Sequence, residues 1–339
     1  MTSSATDEGR AGEGSPARSL QRPKVVYVTG WGRSGSTLLG AALGELAGFY
    51  ALGETHNMWR SGVVRNRACG CRQPFSDCEH WSQVLATARR ADPDFPAVAD
   101  IVTAQAHAAR TRHLPLVATR LGSWIRDDAA QRYLRAIGGV YRAVVERTGA
   151  RVLVDSSKEP VYGRLLEHLD IDFFVVHLVR DPRSVAYSWL RRKERFRVQP
   201  GEQPSYMHRH GPLTSSTFWL AWNGIAGGFW RRRLGRRYLL VRYEDFIADA
   251  AATLTAVLRM VEEPVESLPL SGPSELMLQP NHMVSGNPSR FSTGLVQLKE
   301  DDEWRSRLLP AVRRRVELTT WPLLLRYGYP LREGSDARR

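Results

Sequence analysis

The sequence predicts an α/β fold in which helices cover both faces of a doubly wound parallel sheet. Short runs of β-branched and aromatic residues alternate with segments of helical periodicity, which is typical of parallel strands joined by crossover helices. Polar residues follow the ends of these runs, and such sheets bind ligands at the carboxyl ends of their strands. The 339 residues suffice for one large domain or two modest ones, and we predict a single domain over residues 23–331.

Four strands are predicted because each run is short, apolar and rich in residues that favour strands. In chain order they cover Val25–Val28, Arg151–Asp155, Phe173–Val179 and Tyr238–Arg242.

Helices are predicted between these strands. Apolar residues at 38, 39, 42 and 43 recur on one helical face, and a proline such as Pro182 suits the first turn of a helix. The predicted helices cover Ser36–Leu46, a long charged stretch from about residue 81 to residue 146, Val161–Leu169 and a segment that begins at Pro182.

Both ends of the sequence are rich in small and charged residues. We therefore predict a disordered tail over residues 1–22 and a flexible tail over residues 332–339. The first residues contain no apolar signal-peptide core, and no apolar run reaches the length of about 18 residues that a membrane helix needs. We expect a cytoplasmic protein without a membrane span.

The chain carries a net charge of +13. A basic surplus suits a polyanionic ligand, nucleic acid or an anionic membrane surface, but solvated helix faces also explain individual arginine blocks. No zinc-finger, helix-turn-helix or RNP-like pattern occurs, so we predict no nucleic-acid partner and leave peripheral membrane contact open. The blocks lie at 191–193, 231–233, 236–237 and 313–315.

All three cysteines, Cys69, Cys71 and Cys78, lie in one short segment. An odd number argues against a complete disulfide framework. Together with His80 they have the residue types of a Cys3His zinc site. The C-x-C spacing is tighter than in usual structural zinc sites, which favours reduced thiols in a substrate-facing loop. We therefore predict no metal.

The segment after the first strand, G-W-G-R-S-G-S-T, has the spacing of a phosphate-binding P-loop. Its glycines permit a tight turn that brings backbone N–H groups to an anion, and the following helix adds its N-terminal dipole. The guanidinium of Arg33 and three hydroxyls are further donors. We predict that the loop binds its ligand through Gly32, Arg33, Ser34, Gly35, Ser36 and Thr37.

The loop lacks the lysine of nucleotide kinases, because Ser36 occupies that position. This argues against phosphoryl transfer. A sulfuryl group carries less charge, and cations and backbone donors suffice to stabilise its leaving phosphate without a metal.

Two motifs resemble those of sulfotransferases that use 3′-phosphoadenosine-5′-phosphosulfate. V-T-G-W-G-R-S-G-S-T-L-L is similar to the family's 5′-phosphosulfate loop, and H-L-V-R-D-P-R-S-V-A-Y-S-W is similar to its 3′-phosphate motif. The resemblance implies that Arg180 and Ser188 bind one phosphate. The spacing agrees, since Arg180 ends a strand and Ser188 lies about two turns into the next helix.

Two later elements support the resemblance. R-Y-E-D-F, which contains Tyr243, is similar to a family element whose tyrosine lies near the nucleotide. G-N-P-S-R-F, which contains Arg290, is similar to the late loop that closes over it, and Arg290 would meet the 3′-phosphate. The resemblance covers most of residues 24–304. It implies a P-loop-like sulfotransferase fold with this nucleotide as co-substrate.

The resemblance to the branch of carbohydrate and protein-tyrosine sulfotransferases implies three catalytic residues. Glu54, 21 residues after Arg33, would be the general base for the acceptor hydroxyl. His56 is the alternative base, because the cytosolic arylsulfotransferases use histidine. Lys158, in the segment that ends the second strand, would stand with Arg33 at the bridging oxygen of the leaving group.

We therefore predict sulfuryl transfer by in-line displacement from this nucleotide to a hydroxyl of a small-molecule, carbohydrate or lipid acceptor. Trp31 and Trp59 are candidates for the acceptor pocket. A P-loop nucleotide or small-molecule kinase is the alternative function, and a non-enzymatic binder of nucleic acid or anionic membrane ranks last. The residues do not indicate an individual acceptor or an oligomeric state.

Overall fold

The structure is a computed structural model that describes residues 22–109, 113–118, 123–197 and 203–331. Apart from Arg22, the tails predicted at the two ends lie outside these ranges. The described chain contains a five-stranded parallel sheet, helices on both of its faces and a small antiparallel sheet. The predicted α/β fold class is confirmed.

The large sheet has the strand order β2-β3-β1-β4-β5, and all neighbouring strands in it are parallel. Four of these strands agree with the prediction, whereas β2 was missed because its sequence, F-Y-A-L-G, contains no β-branched residue. The strands are β1 (Lys24–Thr29), β2 (Phe49–Gly53), β3 (Val152–Lys158), β4 (Asp172–Val179) and β5 (Tyr238–Arg242).

The continuous helical stretch predicted from residue 81 to residue 146 is wrong. Pro93 and Pro96 interrupt it, because proline cannot continue a helix, and separate helices result. The described helices are α1 (Ser36–Gly44), α2 (Glu79–Ala91), α3 (Val98–Ala108), α4 (Leu114–Ala118), α5 (Asp128–Thr148), α6 (Pro160–Leu166), α7 (Pro182–Leu190), α8 (Pro212–Ile225), α9 (Arg231–Leu234), α10 (Tyr243–Ala248), α11 (Ala250–Met260), α12 (Trp304–Arg307) and α13 (Pro310–Arg326).

A small antiparallel sheet, which the sequence did not predict, follows the large one. Its strands are β6 (Leu270–Gly272), β7 (Glu275–Leu278) and β8 (Gly294–Gln297). The connection between β7 and β8 leaves this sheet and returns to the large one, where Val284 pairs with Gly53 at the end of β2.

Neighbouring residues of the central strands are buried on opposite faces of the sheet. Val25 and Tyr27 belong to a core cluster with α2, α3 and α5, whereas Val26 and Val28 belong to a second cluster with α1 and α11. Because helices cover both faces, the strands read as continuous apolar runs.

The order of the strands determines where a ligand binds. After β1 the chain builds β2 and β3 on one side and then crosses to β4 and β5 on the other. The loop after β1 therefore lies at the topological switch point, where sheets of this type bind their ligands. Within the described ranges, no helix combines the length and the apolar character needed to cross a bilayer.

Candidate active site

A cleft of about 590 Å³ opens at the carboxyl ends of β1, β3 and β4. The loop after β1, the ends of β2 and β3 and the connection between β7 and β8 all contribute to its walls. It brings together most of the residues that the sequence predicts for the site. Of these, Gly32, Arg33, Gly35, Ser36, Thr37, Glu54, Lys158, Arg180 and Tyr243 line it.

The loop after β1 turns sharply into α1 at Gly35. The backbone there is left-handed (φ 95°), and an added Cβ would lie 2.4 Å from the ring of Tyr243, so only glycine fits. Ser36 and Thr37 begin α1 and are buried. Ser34 is also buried, and within the described ranges its hydroxyl has no hydrogen-bond partner. The loop therefore keeps a donor that the protein itself does not use.

Arg33 extends from the loop toward the far wall of the cleft. Its guanidinium lies 4.7 Å from the ring centroid of Trp189, and Nη1 donates to Met207 Sδ at 3.5 Å. Burial lowers the pKa of Arg33, and the charge of Glu54 opposes this shift.

Glu54 and Lys158 form an ion pair between the ends of the neighbouring strands β2 and β3. Asn57 Nδ2 donates to the second carboxylate oxygen of Glu54 at 2.8 Å. Burial alone would raise the pKa of Glu54. The charge and hydrogen bond of Lys158, the hydrogen bond from Asn57 and the charge of Arg290 outweigh this effect and leave the pKa below its ordinary value.

The buried carboxylate of Asp155 binds residues that adjoin this pair in the chain. Asp155 accepts hydrogen bonds from the hydroxyls of Thr55 and Tyr141 and from the backbone N–H of Ser157. Burial raises its pKa, although these hydrogen bonds act in the opposite direction. Because Thr55 and Ser157 adjoin Glu54 and Lys158 in the chain, Asp155 helps to hold both catalytic candidates in place.

His56, the alternative base, does not line the cleft in the described part of the chain. Gln105 and Tyr133 approach its Nδ1 at 3.4 and 3.5 Å. Burial lowers the pKa of His56 to about 4. Of the two candidate bases, Glu54 is the one that faces the cleft.

The predicted phosphate-binding pair of Arg180 and Ser188 is only partly at the cleft. Arg180 lies 4.4 Å from the ring centroid of Tyr243, donates to the backbone oxygen of Arg33 at 3.2 Å and pairs with Asp301 at 3.1 Å. Ser188 is buried on α7 and is absent from the described lining.

Arg290, which is predicted to meet the 3′-phosphate, binds backbone oxygens in the structure. Its guanidinium donates to the backbone oxygens of Gly286 and Ala68, at 3.1 and 3.0 Å, and among the described residues it does not line the cleft. It holds its own loop instead, and that loop contributes other residues to the lining. They are Ser285, Gly286, Asn287 and Ser289.

This closing loop packs directly on the rest of the site. Gly286 is left-handed (φ 94°), and an added Cβ would lie 3.2 Å from Thr37 Oγ1 and 3.4 Å from Glu54 Oε1. The backbone N–H of Asn287 donates to Thr37 at 3.3 Å. A side chain at position 286 would therefore crowd both the loop after β1 and the candidate base.

One wall of the cleft is aromatic. Trp31 packs against Phe218, Trp222 and Trp189, with ring centroids 5.0, 5.1 and 5.7 Å away. Trp59, the other predicted pocket residue, is fully buried in the core and does not belong to the described lining.

The cleft carries more positive charge than the motifs indicate. Lys193 lies in an arginine block that the sequence alone could not distinguish from a solvated helix face. Burial lowers its pKa to about 8, and the charges of Arg33 and Arg191 act in the same direction. In the described lining, the lysines and arginines outnumber the acidic residues. The acidic residues are Glu54, Glu159 and Asp301, and the basic ones are Arg33, Arg65, Lys158, Arg180, Lys193 and Arg195.

Comparison with known proteins identifies the family of the chain. The sequence profile described as "Sulfotransferase family" matches residues 23–267, which is more than half of the chain. No curated protein is significantly similar to it in sequence.

Two solved structures share its fold. The sulfotransferase domain from the Synechococcus PCC 7002 olefin synthase is 22% identical, with a TM-score of 0.52, and the match covers 93% of this chain and 98% of that one. The sulfotransferase domain from the curacin biosynthetic pathway is 19% identical, with a TM-score of 0.53, and the match covers 91% and 99%.

The pKa of Lys193 predicts how anion binding depends on pH. Below pH 8 the side chain is charged and attracts an anion, and above pH 8 it loses this charge. We expect the affinity for 3′,5′-bisphosphoadenosine to fall about fivefold to tenfold between pH 7.5 and pH 9. Titration calorimetry at both pH values measures this.

Lys193→Arg is the matched control, since arginine stays charged over this range. The variant also separates Lys193 from Glu159, whose pKa burial raises to about 7. We expect the variant to lose most of the pH dependence. An unchanged pH dependence would show that another group is responsible.

Proposed function

The chain belongs to the sulfotransferase family, and on that premise we propose that it transfers a sulfuryl group from 3′-phosphoadenosine-5′-phosphosulfate to an acceptor hydroxyl. The observation that carries the proposal is the juxtaposition of Glu54, Lys158 and Arg33 in one cleft with the anion-binding loop after β1. The first is a base, and the other two are cations that suit a leaving phosphate.

The residues of the cleft fit this donor. The nucleotide supplies an activated sulfuryl group on a phosphate that leaves. The loop after β1 offers backbone N–H groups, the hydroxyls of Ser36 and Thr37 and the N-terminus of α1 to that phosphate. Arg180 and Tyr243 would hold the adenosine side, and the surplus of basic lining residues matches its remaining charge.

The ion pair between Glu54 and Lys158 suggests how donor binding prepares the base. In the free protein Lys158 holds the pKa of Glu54 down, which makes the carboxylate a weak base. Lys158 would turn from Glu54 to the leaving phosphate when the donor binds. Glu54 would then gain basicity, while Asn57 keeps it oriented.

Transfer would then proceed by a single in-line displacement. Glu54 accepts the proton of the acceptor hydroxyl as its oxygen forms a bond to sulfur. The bond between sulfur and the phosphate oxygen breaks on the opposite side. Lys158, Arg33 and the loop N–H groups stabilise the charge that appears on that oxygen. These cations would neutralise the charge of the leaving phosphate, as metal ions do in phosphoryl transfer.

The acceptor is a small molecule, a carbohydrate or a lipid. The aromatic wall around Trp31 supports this choice, because flat apolar rings pack well against sugar faces, aromatic rings and acyl chains. We also propose that the protein acts in the cytoplasm, as its sequence leads us to expect. A kinase is disfavoured, since Ser36 replaces the phosphate-binding lysine and the family is one of sulfotransferases.

Binding of the product nucleotide tests the donor assignment. We expect 3′,5′-bisphosphoadenosine to bind with micromolar affinity and ATP to bind much more weakly, measured by titration calorimetry. Arg180→Ala should weaken binding about 10-fold to 100-fold, because a charged hydrogen bond contributes about 1.5–3 kcal/mol.

Arg232→Ala is a suitable control, since Arg232 is exposed and lies outside the described lining. Its affinity should equal that of the unmodified chain. If ATP bound as tightly as bisphosphoadenosine, the donor assignment would be wrong.

Substitution of the base tests the catalytic assignment. We expect Glu54→Gln to lower turnover by about 100-fold or more while bisphosphoadenosine still binds. Turnover is measured as release of bisphosphoadenosine from the donor with a panel of phenols, sugars and lipid alcohols. Glu266→Gln, at an exposed position, is the control. If His56→Gln abolished turnover and Glu54→Gln did not, His56 would be the base.

A further inference from the structure

The three cysteines form one cluster with a histidine from a distant part of the chain. The ligand atoms of Cys69, Cys71, Cys78 and His282 all lie within 4.8 Å of one another. The fourth member is His282, whereas the sequence suggested His80. The Nε2 of His80 lies 2.8 Å from the hydroxyl of Tyr50 instead, and its ring stacks on His282 with centroids 4.6 Å apart.

The distances in the cluster are those of a tetrahedral zinc site. Cys78 Sγ lies 3.5 Å from Cys69 Sγ and 3.7 Å from Cys71 Sγ. His282 Nδ1 lies 3.3 Å from Cys78 Sγ and 3.8 Å from Cys69 Sγ. With Zn–S of about 2.3 Å and Zn–N of about 2.0 Å, a regular tetrahedron has S–S edges of about 3.8 Å and S–N edges of about 3.5 Å.

The same distances distinguish the cluster from a disulfide. A disulfide requires two sulfurs about 2.05 Å apart, and all three cysteines are free thiols. The four atoms that converge here are three thiol sulfurs and one imidazole nitrogen. Such soft or borderline ligands favour zinc, whereas calcium and magnesium prefer oxygen ligands.

The local backbone holds the ligand segments in place. A tight turn around Cys71 is closed by hydrogen bonds from Cys69 N to Gln73 O at 2.9 Å and from Arg72 N to Cys69 O at 2.8 Å. Gly70 N donates to Met283 O at 3.1 Å, next to His282. Contacts of this kind orient the ligands of a metal.

We propose that Cys69, Cys71, Cys78 and His282 bind one Zn²⁺ ion in a closed structural site. The four protein ligands complete a tetrahedron and leave no position for a substrate, which is characteristic of structural rather than catalytic zinc. Two of the ligands, Cys69 and Cys78, are buried. The ion would cross-link the segment before α2 to His282, which is 204 residues beyond Cys78.

The site lies where it would fix the candidate active site. Trp81 Nε1 donates to the backbone oxygen of His282 at 2.8 Å. Two residues later, the backbone oxygen of Val284 accepts a hydrogen bond from the N–H of Glu54 at 2.7 Å. The chain then continues into the closing loop that contains Gly286. The zinc site itself does not depend on the proposed function, but an effect on nucleotide binding through this loop does.

Metal content tests the proposal directly. The full chain is purified without a histidine tag, dialysed against metal-free buffer and measured by plasma mass spectrometry. We expect one zinc ion per chain, released when a mercurial reagent blocks the thiols. A zinc-free protein that also fails to take up added zinc would overturn the proposal.

Substitutions test the ligand set. His282→Asn and Cys71→Ser should each lower zinc content at least fivefold, whereas His80→Asn is the matched control and should retain it. Retention by His282→Asn together with loss by His80→Asn would show that the assigned ligands are wrong. If the variants do not fold, replacement of zinc by Co²⁺ in the unmodified chain decides, since tetrahedral thiolate ligation gives intense visible absorption and its absence contradicts the site.

Two further measurements separate the zinc site from its alternatives. Thiol titration of the denatured protein without reductant should find all three cysteines after chelation, whereas a Cys69–Cys78 disulfide would leave one. Hydrogen exchange of residues 282–287 should become at least tenfold faster when zinc is removed. Unchanged exchange would show that the ion does not hold this segment, whatever the outcome of the nucleotide-binding experiments.

Discussion

The ion pair between Glu54 and Lys158 is the constraint on which the rest of the site depends. The two residues stand at the ends of adjacent parallel strands, β2 and β3, so the geometry of the sheet determines their separation. The buried carboxylate of Asp155 holds the residues next to both of them. The carboxylate of Glu54 and the ammonium group of Lys158 neutralise each other in this pair. An anion that bound Lys158 would compete with Glu54.

The cleft around this pair carries a surplus of positive charge. Its basic lining residues outnumber the acidic ones, and they remain close together although their mutual repulsion destabilises the folded chain. Asp301 partly relieves this repulsion by pairing with Arg180. Burial is the main cause of the lowered pKa of Lys193, and the charges of Arg33, Arg191 and Arg180 add to it. A bound polyanion, as proposed above, would reduce the remaining repulsion.

The connection between β7 and β8 links three parts of the molecule. It begins in the small antiparallel sheet, passes the cysteine cluster at His282, pairs with the end of β2 at Val284 and closes over the loop after β1 at Gly286. Near the end of this connection, Arg290 donates hydrogen bonds to the backbone oxygens of Gly286 and Ala68. A metal ion at the cluster would thus stiffen a segment that contacts both Glu54 and the loop after β1.

By itself the sequence determined the fold class, four of the five parallel strands and the residues of the loop after β1, because strand periodicity and loop spacing are local properties of the chain. It also indicated Glu54 and Lys158, but not that they pair with each other. Only the tertiary structure placed His282 beside the cysteines, turned Arg290 toward backbone oxygens and buried Trp59 in the core. Contacts between residues far apart in the chain depend on how β2 and the small sheet pack, and no local pattern records that packing.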